Sequence, residues 1–220
     1  MGDHVEVMLR KVMAAIMTND RALVDQVAKM DNSVDSLDEA IKLYVTKLTR
    51  GSLDEREGKR AMEIISFAIN LEHMGDIIDK NLSELAIKKI KRRLQFSSEG
   101  AEELSAFYKQ TTDSLRIAFG VFMSGDVNEA RKLLGHKALL RNTELAATER
   151  HLDRLREGRP ETIETTSLHL DVLRDLRRIH SHICSVAYPV LDSAGELSAE
   201  QDAKRDVVAT SKPTELPSAR

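Results

Sequence analysis

The sequence predicts an all-α fold built as two tandem three-helix bundles. Apolar residues recur at steps of three and four along most of the chain, the spacing of one helix face. Helix breakers are scarce, with four Pro and ten Gly in 220 residues, while Leu, Ala, Met, Lys, Arg and Glu abound. The order helix, Asn-Asp or Gly-Asp break, helix, Gly-containing break, helix occurs twice. Asp20 and Asp126 hold corresponding places, and Leu71-x-x-Met74 is matched by Leu176-x-x-Ile179 about 105 residues on. This internal duplication divides the chain into a first repeat at 1–95, a second at 96–193 and a disordered tail at 194–220.

The first helix runs from Met1 to Met17 on Val5, Met8, Leu9, Val12, Met13 and Ile16, and stops at Thr18-Asn19-Asp20, where Asn and Asp offer cap chemistry. The second carries Leu23, Val27, Met30, Val34, Leu37, Ile41, Tyr44 and Leu48 as its seam, and Gly51 stands where a C-terminal cap is wanted. The third spans about Leu53 to Leu94, with Phe67, Leu71, Met74, Ile78, Leu82 and Leu85 inward. It ends in the run Lys88 to Arg93, whose charge suits a solvated helix C-terminus or an anionic lipid or partner. After Ser97-Ser98-Glu99-Gly100 a helix with Leu104, Phe107, Tyr108, Leu115, Phe119 and Phe122 leads to Ser124-Gly125-Asp126. The next reaches about Glu157 and breaks at Gly158-Arg159-Pro160, and the last runs from about Glu161 to Asp192. The first helix is shorter than its counterpart in the second repeat, which leads us to expect a chain that begins partway along a helix, as a fragment of a longer protein does.

Composition narrows the function classes. The net charge of -3 gives no global electrostatic case for nucleic acid. A single cysteine, Cys184, excludes an internal disulfide framework and reads as a buried, inert thiol in a reducing compartment. Asp3, His4 and Glu6 stand where a signal peptide has its basic region, and the longest apolar run, Val12 to Met17, is too short to span a membrane, so a soluble chain is expected. No nucleophile–base pairing, phosphate-cradling Gly loop or metalloprotease-type His spacing argues for an enzyme, and the inward Glu-x-x-His pairs of ferritin-like oxidising sites are missing.

The chemistry gathers in the first repeat. Asp31, Asp35 and Asp38 each follow a seam residue of the second helix by one position, and Glu72 and Asp79 do the same on the third, with Asp76 between them on the same edge. In an antiparallel pair these two edges face one another. Facing residues of a hairpin share one positional sum, and Asp35 with Glu72 and Asp31 with Asp76 do so. Four carboxylates converging on one groove are costly unless a cation joins them, and an oxygen-liganded divalent or trivalent metal answers that need. Asp31, Asp35, Glu72 and Asp76 are then the ligands, with Asp38 and Asp79 as outer members. Solvated or Arg-paired acids on a helical adaptor are the competing reading. His73 projects away from that edge and reads as a surface residue.

Leu71-Glu72-His73-Met74-Gly75-Asp76 resembles the Leu-Glu-Arg-Ile-Gly-Asp motif of PhoU proteins, and Asp31-Asn32-Ser33-Val34-Asp35 resembles the Asp-x-x-x-Asp of their preceding helix. The resemblance covers roughly residues 3 to 192. It implies a two-repeat helical regulator in phosphate homeostasis whose acids bind iron, zinc, manganese or magnesium. It implies as partner a membrane phosphate transporter or a transmembrane domain fused to the same chain, and also a phosphate-sensing kinase or a second copy. The start at Gly2-Asp3-His4-Val5, already inside a helix, looks like the junction after the membrane part of a sodium/phosphate cotransporter, placing the chain in the cytoplasm at the inner face of the membrane. A free-standing regulator is the other arrangement found in that family.

The second repeat departs from this pattern. Asp175-Leu176-Arg177-Arg178-Ile179-His180-Ser181 keeps the scaffold but sets Arg177 where Glu72 stands and Ser181 where Asp76 stands, and the best register sets Lys137 and Arg141 at the places of Asp31 and Asp35. A second metal site is therefore expected to be absent. Lys137, Arg141 and Arg177 form either an anion groove of a kind that would take phosphate, or ion pairs with Asp171, Asp175 or Glu144. His169, His180 and His182 are spread around their helix and read as satisfied or exposed side chains.

Overall fold

The computed structural model describes residues 1–197, and those residues form helices joined by short breaks. Helix α1 covers Gly2–Thr18 and α2 Arg21–Leu48; α3 covers Glu55–Asp76 and continues through a π-helical turn, Ile77–Leu82, into α4, Ser83–Arg92. The second half comprises α5 Ser98–Ser124, α6 Val127–Arg156, α7 Pro160–Cys184 and α8 Ala187–Ser193. Local chemistry sets the boundaries. Asp20, Asp54, Ser97 and Asp126 each cap the helix that follows by accepting a backbone N–H, and Asp54 forms a reciprocal capping box with Glu57. Asn19 and Gly125 close α1 and α5 in the left-handed conformation, at φ 61° and 65°.

Within each half the three long helices pack on one another, and the halves join where α7 lies on α3, the π turn and α4, and where α1 meets α5. One hydrophobic cluster runs through both halves. Its centre includes Val5, Met8, Leu9, Val12 and Ile16 of α1, all essentially inaccessible. Phe67 of α3 stacks on Phe122 of α5 at 4.3 Å and meets Phe119 edge-on at 6.0 Å, adding about 1 kcal/mol per pair beyond area burial.

The structure corrects several local expectations. The third helix is not continuous α-helix: the π turn inserts one extra residue, so the inward position after Leu82 is Ala86 rather than Leu85. Gly51 does not adopt the left-handed conformation, and α2 ends at Leu48 with Thr49, in the right-handed region, as its C-cap. The last helix breaks at Ser185-Val186, one turn before Pro189, whose ring excludes the carbonyl four residues earlier. Lys89 is not solvated. It is 1 % exposed, donates to the Asn19 side chain at 2.8 Å and lies over the Phe96 ring, and burial lowers its pKa. Of the expected tail, Glu196 pairs with Arg131 and Leu197 packs on the core, while 198–220 lie outside the described residues.

Candidate functional site

The α2–α3 hairpin brings the predicted acids to one surface, but not in the arrangement expected. The buried stripe of α2 is Val24, Val27, Asp31, Val34, Asp38 and Val45: Val27 and Val34 of the predicted seam are kept, while the other buried positions lie one residue later, so Asp31 and Asp38 point inward instead of flanking. Asp38, an expected outer member, is as buried as Asp31, whereas Asp35 is exposed. Tyr44 and Leu48, expected inside, are 64 % and 48 % exposed. On the other helix Glu72, Asp76 and Asp79 are partly buried, Asp79 within the π turn.

Gly75 makes the approach possible. A Cβ on it would stand 3.0 Å from Asp31 Oδ1 and 3.4 Å from Val34 Cγ1, so glycine lets the carboxylate lie against the α3 backbone without the few tenths of an ångström of adjustment that a side chain would demand. The hairpin register thus falls within one residue of the Asp31–Asp76 pairing read from the sequence.

Electrostatically the six acids are one group. Burial, then Asp79, Asp35 and Asp76, push Asp31 up to about 6. Burial and then Asp76 raise Glu72, with smaller contributions from Asp38 and Asp35. Burial raises Asp79 too, Lys80 works against it, and Asp76 and Asp35 add to the rise. Two lysines partly answer this charge, Lys42 on Asp38 Oδ2 and Lys80 on Asp76 Oδ1, each one turn further along its own helix. The other oxygens of the deepest pair, Asp31 Oδ1 and Asp38 Oδ1, are buried with no hydrogen-bond partner. These lysines were legible as i,i+4 partners of acids and were overlooked, as was the role of Gly75.

The donor set suits a hard cation: carboxylate oxygens, two of them orphaned. The cage is not closed, since among the described residues no three His, Cys, Asp or Glu side chains already stand close enough to hold a metal ion. His73 is exposed and 5.2 Å, ring to ring, from His182, whose Nδ1 is bonded to Asn70 at 2.9 Å.

In the second repeat Lys137, Arg141, Arg177 and Ser181 do line one groove, and Arg177 reaches Glu144 at 3.3 Å. Asp171 and Asp175 are taken by Arg174 and Arg178. His169 and His180 are fully buried, and Cys184 is buried with its thiol pushed up to about 12, which leaves it unreactive. Sequence reasoning did not find the buried Glu103–Arg154 pair beside His169.

The PhoU domain family matches residues 1–86. The chain is 41% identical over 194 residues to YjbB of Salmonella typhimurium, a candidate inorganic phosphate export protein, and 37% identical over 195 residues to its namesake from Escherichia coli K12. These alignments take in 87% and 89% of this chain but 35% and 36% of the relatives, so the chain spans about a third of their length. PhoU homolog 1 of Thermotoga maritima, a phosphate-specific transport system accessory protein, is 22% identical over 83% of this chain and 78% of its own. Among solved structures, PhoU of Pseudomonas aeruginosa superposes with a TM-score of 0.77 at 20% identity, covering 86% of this chain and 90% of that one. The phosphate transport regulatory protein PhoU of Streptococcus pneumoniae gives 0.75 at 16%, covering 86% and 87%. No described helix is long and apolar enough to cross a membrane. Residues 1–86, with the acidic hairpin, thus match the PhoU domain, and across the chain the fold is that of the solved PhoU structures.

Proposed function

We propose that this chain is a non-enzymatic regulatory domain that holds a divalent or trivalent cation at Asp31, Asp35, Glu72 and Asp76 and acts on a membrane phosphate transporter. Iron, zinc, manganese and magnesium all suit its oxygen donors. The carrying observation is Asp31 Oδ1, buried against Gly75 and without a hydrogen-bond partner among the described residues, in a set of six acids with two lysines beside it. A bound cation would supply the positive charge that two lysines do not. Asp31 would hold it from the α2 side and Asp76 and Glu72 from the α3 side, fixing the two helices and the surface they present. Asp38 is so placed that it can exchange Lys42 for the ion.

The length of the YjbB relatives supports a further reading, that this is the cytoplasmic domain of a longer sodium/phosphate cotransporter-type chain, acting at the inner face of the membrane on its own transmembrane part. The likeness to the Thermotoga accessory protein favours a free-standing regulator instead, with a transporter or phosphate-sensing kinase as partner. A metal-free adaptor is favoured by Lys42 and Lys80, which already occupy Asp38 and Asp76.

Metal analysis of the purified protein, with melting after chelation and after readdition of iron, manganese, zinc or magnesium, tests the reading. Bound metal and a melting temperature that falls on chelation and recovers on readdition are expected. No metal, with unchanged melting, would leave the adaptor.

A further inference from the structure

The two repeats carry opposite charge at the same place. Where the first sets Asp31, Asp35, Glu72 and Asp76, the second sets Lys137, Arg141, Arg177 and Ser181, and these four line a single groove of about 900 Å³ between α6 and α7. The charge there is poorly answered. Arg177 has one long contact, to Glu144, and most of its guanidinium fork is free. Lys137 donates to the Tyr188 hydroxyl at 3.0 Å, an acceptor that carries no charge, and Arg141 makes no ion pair among the described residues. Behind them His180 is buried and bonded to Ser114 at 3.0 Å. Burial first, then His136 and Lys137, hold it down to about 4, so at neutral pH it adds no charge but feels the cations.

We propose that this groove is an oxyanion site that takes a phosphate group, either free orthophosphate or the headgroup of an anionic lipid. Lys137 and Arg141 stand one helical turn apart and present a point charge and a planar fork from α6, while Arg177 offers a second fork across the groove. Two forks and an ammonium match the several oxygens of a phosphate, and the Leu134, Leu140 and Leu145 side chains along the groove lower the local dielectric in which they act. A duplicated scaffold thus offers a cation place in one repeat and an anion place in the other. The anion site rests on its own residues and does not depend on a metal in the first repeat.

The test uses the chelated protein in two arms: equilibrium dialysis with radiolabelled orthophosphate, and co-sedimentation with phosphatidylglycerol vesicles against phosphatidylcholine vesicles. Arg141 is exposed, so Arg141→Glu is expected to fold normally, checked by circular dichroism, and to weaken binding at least tenfold. Lys132→Glu makes the same charge change nine residues earlier, about two and a half turns and so the opposite side of α6, and is expected to leave binding intact. Binding in the first arm identifies a free-ion site and binding confined to the second a headgroup site. No binding in either arm up to about 10 mM phosphate, or equal losses in the two variants, overturns the proposal. Metal content, measured separately, reports on the first repeat alone.

Discussion

Asp31 Oδ1 lies 3.0 Å from the point where a Cβ on Gly75 would stand. Glycine inside a helix is about 0.5–1 kcal/mol less stable than alanine, so its presence here needs a reason that outweighs propensity. The reason is a buried carboxylate oxygen, with Val34 also at the contact. Gly75→Ala is therefore expected to destabilise the chelated protein by about 1 kcal/mol. In an Asp31→Ala background the same change is expected to stabilise by about 0.5 kcal/mol. Urea unfolding of the four proteins gives the cycle, and additive effects would show that the two residues do not touch.

Asp31 itself works against the fold at neutral pH. Burial, above all, pushes its pKa up to about 6, so between about pH 4 and 6 the folded state holds a proton that the unfolded state has released, and at neutral pH the fold carries a buried charge. Stability from this group is present below pH 4 and lost as pH rises through 6. Asp31→Asn is expected to stabilise the chelated protein at pH 7 by roughly 2 kcal/mol and to flatten the acid-side slope. The same variant is expected to lose the melting-temperature rise on adding metal. A variant destabilised under both conditions would mean that Asp31 is structural.

Much of this was legible because it is local. Helix boundaries follow from breaks such as Thr18-Asn19-Asp20 and Ser124-Gly125-Asp126, whose aspartates cap the next helix, and the α2–α3 register follows from a short connection between antiparallel helices. The Asp54 cap is not among them, since the apolar spacing starts the third helix at about Leu53. The rotation of α2 was not legible. A seam drawn through Met30, Leu37, Tyr44 and Leu48 assumes that the largest apolar residues face inward, but α2 turns to set Asp31 and Asp38 toward α3 and leaves Tyr44 and Leu48 outside. Periodicity cannot show this, because it reports one helix and the orientation is decided by the neighbour. The π turn at Ile77–Leu82 carries no sequence signal either, and it moves the inward position from Leu85 to Ala86.

The buried histidines give the opposite pH trend. His169 and His180 are both held down to about 4, chiefly by burial, so both are neutral where unfolded histidine is already protonated. Here stability is complete above pH 6.5 and lost as pH falls from 6.5 through 4. Their joint effect is roughly 3–5 kcal/mol. It is read most cleanly in Asp31→Asn, where the opposing carboxyl is gone. His180→Gln in that background is expected to remove about half of the slope of stability against pH, and an unchanged slope would place the titration elsewhere.

Glu103 and Arg154 show what a finished buried charge looks like in this fold. Arg154 grips both carboxylate oxygens at 3.0 and 2.8 Å, Arg150 adds a bond at 2.8 Å, and His169 approaches within 3.2 Å. Burial pushes the Glu103 carboxyl up, and the two arginines more than offset it, so it ends below the usual carboxylate range. Arg154→Met strips away the bidentate partner and is expected to cost about 3 kcal/mol, whereas Glu103→Gln with Arg154→Met removes the charges together and is expected to cost about half as much. If the two single changes summed to the double, the pair would be two independent side chains. If they couple as expected, the second repeat satisfies its buried carboxylate entirely from its own chain. Asp31 and Asp38 lack that satisfaction, since Oδ1 of each is buried without a hydrogen-bond partner among the described residues.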